Sequence, residues 1–385
     1  MTEGSERQWG RPGRAAGEKR FSPLLRLGLA GFVLLALLAA LFLTWCRIKA
    51  LSQAYPGLPR DLPPALDVRL GVNADLQQYD GAGLERALDR IEEAGFGWVR
   101  QAFPWTEVEP QPGRFEWARW DAIVEEVAAR GLRLVAVLDL APSWAQSDPS
   151  QPHPAAPPHE VADFGRFVRA FVGRYGRGVD FYQVWEDPNL SAHWGGSHAS
   201  PAAYVRLLRE ATVQIREADP SASVILAGLA PTVESGPLNL NEVAFLEGVY
   251  AAGGAAFFDV VAAKPYGFWH RADDPVADVG TLNFSRAQLL RRVMEAHGDA
   301  GKPLWAVAFG WNALPEGWTG RPSIWGTDSE ARQAVELRSL NELQERLEVV
   351  LCFPWEADEQ GCADSRLGQR RPDAADERKV RLRGL

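Results

Sequence analysis

Glu186 and Asp187 stand side by side between an apolar run that ends at Trp185 and a proline, Pro188. Adjacent carboxylates can bind hydroxyls or act as acid and base, because two like charges in one place raise one pKa into a useful acid range. The apolar run reads as a strand. Pro188 ends it by removing a ladder N–H and by disfavouring helix at the residue before it. Both acids therefore fall at a strand's C-terminal rim. Neighbours on a strand point to opposite faces, so alternation alone does not require the two acids to share a cleft.

The elements that must position them are read from periodicity. From Val68 onward, short apolar runs alternate with amphipathic stretches, the pattern of a parallel sheet with crossover helices. Eight strands are predicted: Val68–Ala74, Trp98–Pro104, Arg133–Leu140, Phe181–Glu186, Ser223–Leu229, Phe258–Lys264, Pro303–Phe309 and Val349–Pro354. Helices are predicted over Leu84–Ala94, Trp117–Ala129, His159–Tyr175, Pro201–Ala218, Asn241–Ala252, Ser285–His297 and Asp328–Leu347. In the first of these, Leu84, Ala87, Leu88 and Ile91 mark one face. Eight alternations over residues 67–357 fit a (β/α)8 TIM barrel, of α/β class. An open doubly wound sheet is the competing architecture. No Gly-x-Gly-x-x-Gly turn follows the first strand, so nucleotide binding has no support.

In a barrel of this kind the chemistry sits at the rim of the strands' C-terminal ends. Long loops fall there: Ala141–Glu160 carries six prolines, and Trp311–Thr327 carries Trp311, Trp318 and Trp325. The chain has fifteen Trp, many near predicted strand ends. Their flat rings suit stacking on apolar sugar faces; filling a large core is the alternative. His193 and His198 flank Trp194-Gly195-Gly196 just past the acids, as a sugar-binding or a plain surface loop.

The N-terminal region has a different character. Residues 27–46 are twenty uncharged, mostly apolar positions, roughly 30 Å as a helix and enough to span a bilayer core. Six basic residues precede them and three follow, which places residues 1–26 in the cytoplasm and the bulk of the chain outside. The run is long for a signal peptide, and no small-x-small cleavage site follows, so a signal anchor at the cell membrane is expected. Residues 47–66, with four prolines, form a stiff spacer. Residues 358–385 are a polar tail. Residues 1–50 hold eight Lys/Arg against three Asp/Glu, leaving 33 basic and 47 acidic residues for the remainder. Such an acidic outer part argues against nucleic acid. Cys352 and Cys362 could pair outside the cytoplasm or stay as thiols. No Cys/His spacing suggests a metal, and no cofactor is implied.

The segment Trp185-Glu186-Asp187-Pro188-Asn189 resembles the Trp-Asn-Glu-Pro-Asn signature of clan A glycoside hydrolases, near the xylosidase and cellulase branches. The resemblance covers roughly residues 68–357. It includes Arg100 on strand two, the run from Phe103 to Gly113, Ala141-Pro142-Ser143-Trp144-Ala145, Pro265-Tyr266-Gly267 and Phe309-Gly310-Trp311. It implies a carbohydrate or polysaccharide ligand, with Arg100, Trp105, Asp139, Trp144, Trp185, Asn189, Trp194, Lys264, Tyr266, Trp311 and Trp355 as binding candidates.

The catalytic positions depart from the family. A retaining glycosidase needs two carboxyl groups about 5 Å apart, as acid/base and nucleophile. The resemblance places Glu186 where the family has Asn, and Asp187 where it has the acid/base Glu. An Asp there withdraws the proton donor by roughly 1 Å, enough to cost about a hundredfold in rate. The nucleophile position is Ala308, which has no nucleophilic atom, so double displacement through it is impossible. Glu356 or Asp139 could serve as base for an inverting route if about 6.5–9.5 Å from the acid, or the substrate could participate itself. Lys264, where the family often has His, could bind an acidic sugar or form an ion pair with the acids. An active hydrolase and an inactive pseudo-glycosidase that binds or scaffolds polysaccharide are both open at this point. Ala308→Glu is expected to create turnover of an aryl glycoside. Unchanged turnover with sugar binding intact would count against the alignment of strand seven.

Overall fold

The computed structural model describes residues 37–43, 70–314, 317–320, 323–343 and 352–354. The chain divides into two units, residues 1–63 and 64–385. In the first, residues 37–43 are helical, with Leu37, Leu38, Leu41, Phe42 and Leu43 exposed. The rest of the expected 27–46 anchor lies outside the described residues. Among the described residues no helix is long and apolar enough to cross a membrane.

The second unit alternates strand and helix throughout. The strands are β1 (Gly71–Asn73), β2 (Trp98–Pro104), β3 (Arg133–Asp139), β4 (Phe181–Val184), β5 (Ser223–Ile225), β6 (Val261–Ala263), β7 (Leu304–Ala306) and β8 (Cys352–Pro354). The crossovers are α1 (Gly81–Glu93), α2 (Ala118–Ala129), α3 (Val161–Tyr175), α4 (Pro201–Ala218), α5 (Glu242–Ala251), α6 (Ala287–Ala296) and α7 (Glu330–Leu343). All the ladders are parallel. One sheet runs β5-β4-β3-β2-β1-β8, a second pairs β6 with β7, and a bridge from Ile225 to Val260 joins the two. This is the sequential order of a barrel. A β7–β8 ladder is not seen among the described residues.

Two apolar layers hold the sheet. Outward residues such as Val99, Phe103, Ala136, Leu138, Tyr182 and Val184 pack under the helices. Phe103 lies 5.2 Å from the Trp120 ring of α2 and 4.9 Å from Phe171 of α3. Inward residues form a floor from Trp98, Val135, Phe181, Ile225, Ala262, Trp305 and Val307. Trp98 meets Phe181 edge-on at 5.1 Å and Trp305 at 5.5 Å. One pleat above the floor the inward positions turn polar: Arg100 follows Trp98, Gln183 follows Phe181, and Lys264 follows Ala262, each two residues on.

The strands after β3 are shorter than their apolar runs predict, and β4 shows why. Trp185 has φ 71°, outside the β region, so the ladder ends at Val184. Pairing nevertheless continues past it through Trp185 N–H to Leu138 O at 2.9 Å and Asp187 N–H to Gly228 O at 2.9 Å. Tyr204 of α4 fixes the same edge. Its hydroxyl donates to Val184 O at 3.0 Å and accepts from Ala227 N–H at 2.7 Å.

The loops after β5 and β6 are fastened by one buried arginine. Arg286 is paired with Glu242 and donates to Thr232 O at 2.8 Å and to Asp278 O and Thr281 O at 3.0 Å. Arg286→Met strands a buried carboxylate and three carbonyls. It is expected to cost about 3–5 kcal/mol in denaturant unfolding; a loss under about 1 kcal/mol would show that the cluster does not hold the loops.

Candidate active site

The polar layer above the floor is one connected network. Arg100 is its hub, 6% exposed. It donates from Nη1 to Asn73 Oδ1 at 2.9 Å, and from Nε and Nη2 to Gln183 Oε1 at 3.0 and 2.9 Å. Its Nη2 also reaches Glu186 Oε2 at 2.5 Å. Gln183 Nε2 donates to the same Glu186 oxygen at 2.5 Å and to Trp185 O at 2.8 Å. Lys264 enters from the end of β6. Its Nζ lies 2.6 Å from Glu186 Oε1 and 2.6 Å from Asp187 Oδ1.

The two acids therefore meet on one cation, which plain alternation did not require. The reason is the backbone. Trp185 at φ 71° reverses the pleat, so its indole joins the helix-side core while Glu186 turns inward. Asp187 at φ 48° turns the chain again and brings its carboxylate to the same ammonium. Non-glycine residues in this region cost of order 1–3 kcal/mol each and persist only where the surroundings enforce them. Leu140 after β3 (φ 58°) and Phe268 after β6 (φ 51°) belong to the same rim.

Gly228 lets the centre close. A Cβ there would lie 2.9 Å from Lys264 Cε and 3.0 Å from Glu186 Oε2. Burial pulls the Lys264 pKa down, but Asp187 and then Glu186 oppose it, with Tyr266 adding to them and Arg100 subtracting, and the balance lies above the ordinary 10.5. Among the described residues, no group of three or more His, Cys, Asp or Glu is arranged to hold a metal ion.

Several residues expected to face a ligand are engaged elsewhere. Trp105 is fully buried, stacked on Phe167 at 5.4 Å, and its indole N–H is bound by Glu109 at 2.7 Å. Trp144 is half-buried and donates to Glu109 O at 3.2 Å. Trp185 and Trp194 meet edge-on at 6.0 Å within the helix-side core. Trp311 is buried against Phe284 and donates to His270 O at 2.6 Å. Asn189 is buried, with its amide fixed by Ala230 O at 2.8 Å, Leu240 O at 2.9 Å and Ala230 N–H at 2.9 Å. In this structure these side chains serve as wall and loop supports. Arg100 is likewise a framework donor in this structure.

Asp139 is buried at the end of β3, and Ala308 is buried where β7 bends. Tyr266 stays half-buried at the rim, its ring 5.4 Å from Trp325. Glu356 and Trp355 lie outside the described residues, as does Cys362. Sequence reasoning did not single out Asn73, Gln183 or Gly228. Gln183 carried a signal, being a polar residue two positions from Phe181 on an otherwise apolar strand.

A model of the glycoside hydrolase family 42 type, described as beta-galactosidase, matches residues 76–170. No curated protein gives a significant match. Solved structures do. A family 39 glycoside hydrolase from Bacteroides cellulosilyticus WH2 aligns with TM-score 0.55 at 19% identity, over 76% of this chain and 59% of that one. The family 39 enzyme from Xanthomonas axonopodis pv. citri gives 0.56 at 18%, over 78% and 61%. A glucosidase from Croceicoccus marinus gives 0.55 at 16%, over 76% and 60%. The chain thus has the barrel fold of these solved glycoside hydrolases and spans about three fifths of their length.

Lys264→Gln leaves two carboxylates facing each other and is expected to lower stability by about 3–5 kcal/mol near neutral pH. Because the folded pKa lies above 10.5, the stability from this ammonium is fully present below 10.5 and is lost as pH rises through the folded value. Thermal unfolding of both proteins against pH should show a constant gap between about pH 8 and pH 10 that narrows above it. A gap that closes between about pH 8 and pH 10 would contradict the ion-pair geometry.

Proposed function

We propose that this chain is a glycoside hydrolase-like protein that binds cell-envelope or extracellular polysaccharide, without cleaving it by the retaining mechanism. Residues 27–46 anchor it in the cell membrane, with residues 1–26 cytoplasmic and the barrel outside. One observation carries the reading: both rim carboxylates of β4 are held by Arg100 and Lys264, while β7 offers only Ala308 at the aligned nucleophile position. Two carboxyl groups with separate roles are the minimum for glycoside hydrolysis by the common routes. A scaffold that keeps the barrel and neutralises its acids suits binding.

The fold shared with glycoside hydrolases supports a glycan ligand, although function is set by the site rather than the fold. The apolar length of residues 27–46 and the basic residues before them support the anchor. A hydrolase with rearranged acids is the competing reading. Asp187 favours it, being the more exposed acid at 13% and attached to a strained backbone at the rim.

The full chain screened on a glycan array is expected to bind at least one polysaccharide class, and the bound glycan should remain intact on prolonged incubation. Release of reducing ends would select the hydrolase reading. An array with no hits would remove both.

A further inference from the structure

Glu186 is surrounded by donors. Arg100 Nη2 and Gln183 Nε2 both reach Oε2 at 2.5 Å, and Lys264 Nζ reaches Oε1 at 2.6 Å. A protonated carboxyl has an O–H to donate, whereas an ionised one only accepts. The acceptor among these three side chains, Gln183 Oε1, already receives two N–H groups from Arg100. A proton on Glu186 would find no open acceptor among these side chains and would sit beside an ammonium and a guanidinium. Asp187 shares the same ammonium at 2.6 Å.

The groups acting on Lys264 come from three strands. Asp187 and Glu186 follow β4, Tyr266 follows β6, and Arg100 lies on β2; the acids and Tyr266 favour the ammonium, while Arg100 opposes it. Tyr204 of α4 adds a phenol that feels the charge of Glu186. Glu186 and Lys264 are buried, at 5% and 6% exposure, and Asp187 is partly buried. Charge there is compensated by the protein itself rather than by water.

We propose that Lys264 is a built-in counter-cation: its ammonium occupies the place between Glu186 and Asp187 that a positively charged ligand group would take, keeps both acids ionised, and makes the rim select uncharged sugars over cationic ones. Selection among sugars rests on the glycan-binding reading above; the charge state of the two acids does not. Two consequences follow. An acid locked in its ionised form has no proton to give a leaving group. A protonated iminosugar, whose ring nitrogen seeks a carboxylate partner, has to displace Lys264 to find one.

The test uses the full chain with carboxyl-labelled Asp and Glu, titrated by carbon-13 NMR. In the wild type and in Lys264→Arg, the Glu186 and Asp187 signals should show no protonation between about pH 5 and pH 8. In Lys264→Met, one of the two should take up a proton within that window, because two close carboxylates resist double ionisation. Protonation of either acid in the wild type overturns the proposal, and that result needs no folded variant. A folded Lys264→Met protein with both acids still ionised overturns it as well. By calorimetry, the wild type should bind a neutral pyranoside at least about tenfold more tightly than the iminosugar of matching stereochemistry, a gap of about 1.4 kcal/mol. A wild-type preference for the iminosugar would refute the selection. A glycan array without hits would remove the glycan reading and leave the titration result standing.

Discussion

The barrel mouth is organised by the requirement that buried charge be matched by charge. Arg100 and Lys264 bring two positive groups into a layer with almost no solvent, and Glu186 and Asp187 answer them at 2.5–2.6 Å. Taking such groups out of water costs several kcal/mol per ion, repaid only when geometry is good and the remaining donors and acceptors are filled. Asn73 and Gln183 do the filling, as neutral groups that saturate the guanidinium and the shared Glu186 oxygen. The left-handed Trp185 and Asp187 and the bare Gly228 are backbone conditions for the same arrangement. The apolar floor of Trp98, Phe181 and Trp305 excludes water from below.

Neighbouring strands among the described residues keep sequence order, and the fold is like that of solved glycoside hydrolases. The site gathers Glu186 and Asp187 into one ion-paired cluster with Arg100 and Lys264. A cluster of that kind rigidifies the mouth, because each member has several partners and none can leave without stranding another. The cost of the strained φ values is carried by the same bonds.

Aromatic content shows that position along the chain does not fix the side of the sheet a ring takes. Trp residues near strand ends suggested stacking platforms, and strand ends are indeed where many of them lie. Yet Trp105, Trp185, Trp194 and Trp311 turn away from the mouth, and Trp98 and Trp305 form the floor beneath it. Indole N–H groups explain the outcome. Trp105, Trp185 and Trp311 find acceptors there, in Glu109, His193 O and His270 O. Sequence position sets where along a strand a ring begins; the acceptor decides to which side it goes.

What the sequence settled by itself is the alternation. The pattern of apolar residues placed β2, β3 and α4 within a residue of their observed bounds, because the two strands are apolar runs buried on both faces and the helix buries one face along its length. It also set the residue types at the mouth, including the alanine at position 308 and the lysine at position 264. Only the tertiary structure decided that Glu186 and Asp187 face the same way. A single left-handed residue reverses the pleat, and no local pattern marks a tryptophan for that conformation. Likewise the partnership of Arg100, Gln183 and Lys264 joins three strands up to 164 positions apart in the chain. Pairing over such distances comes from closing the sheet, which no window of sequence contains.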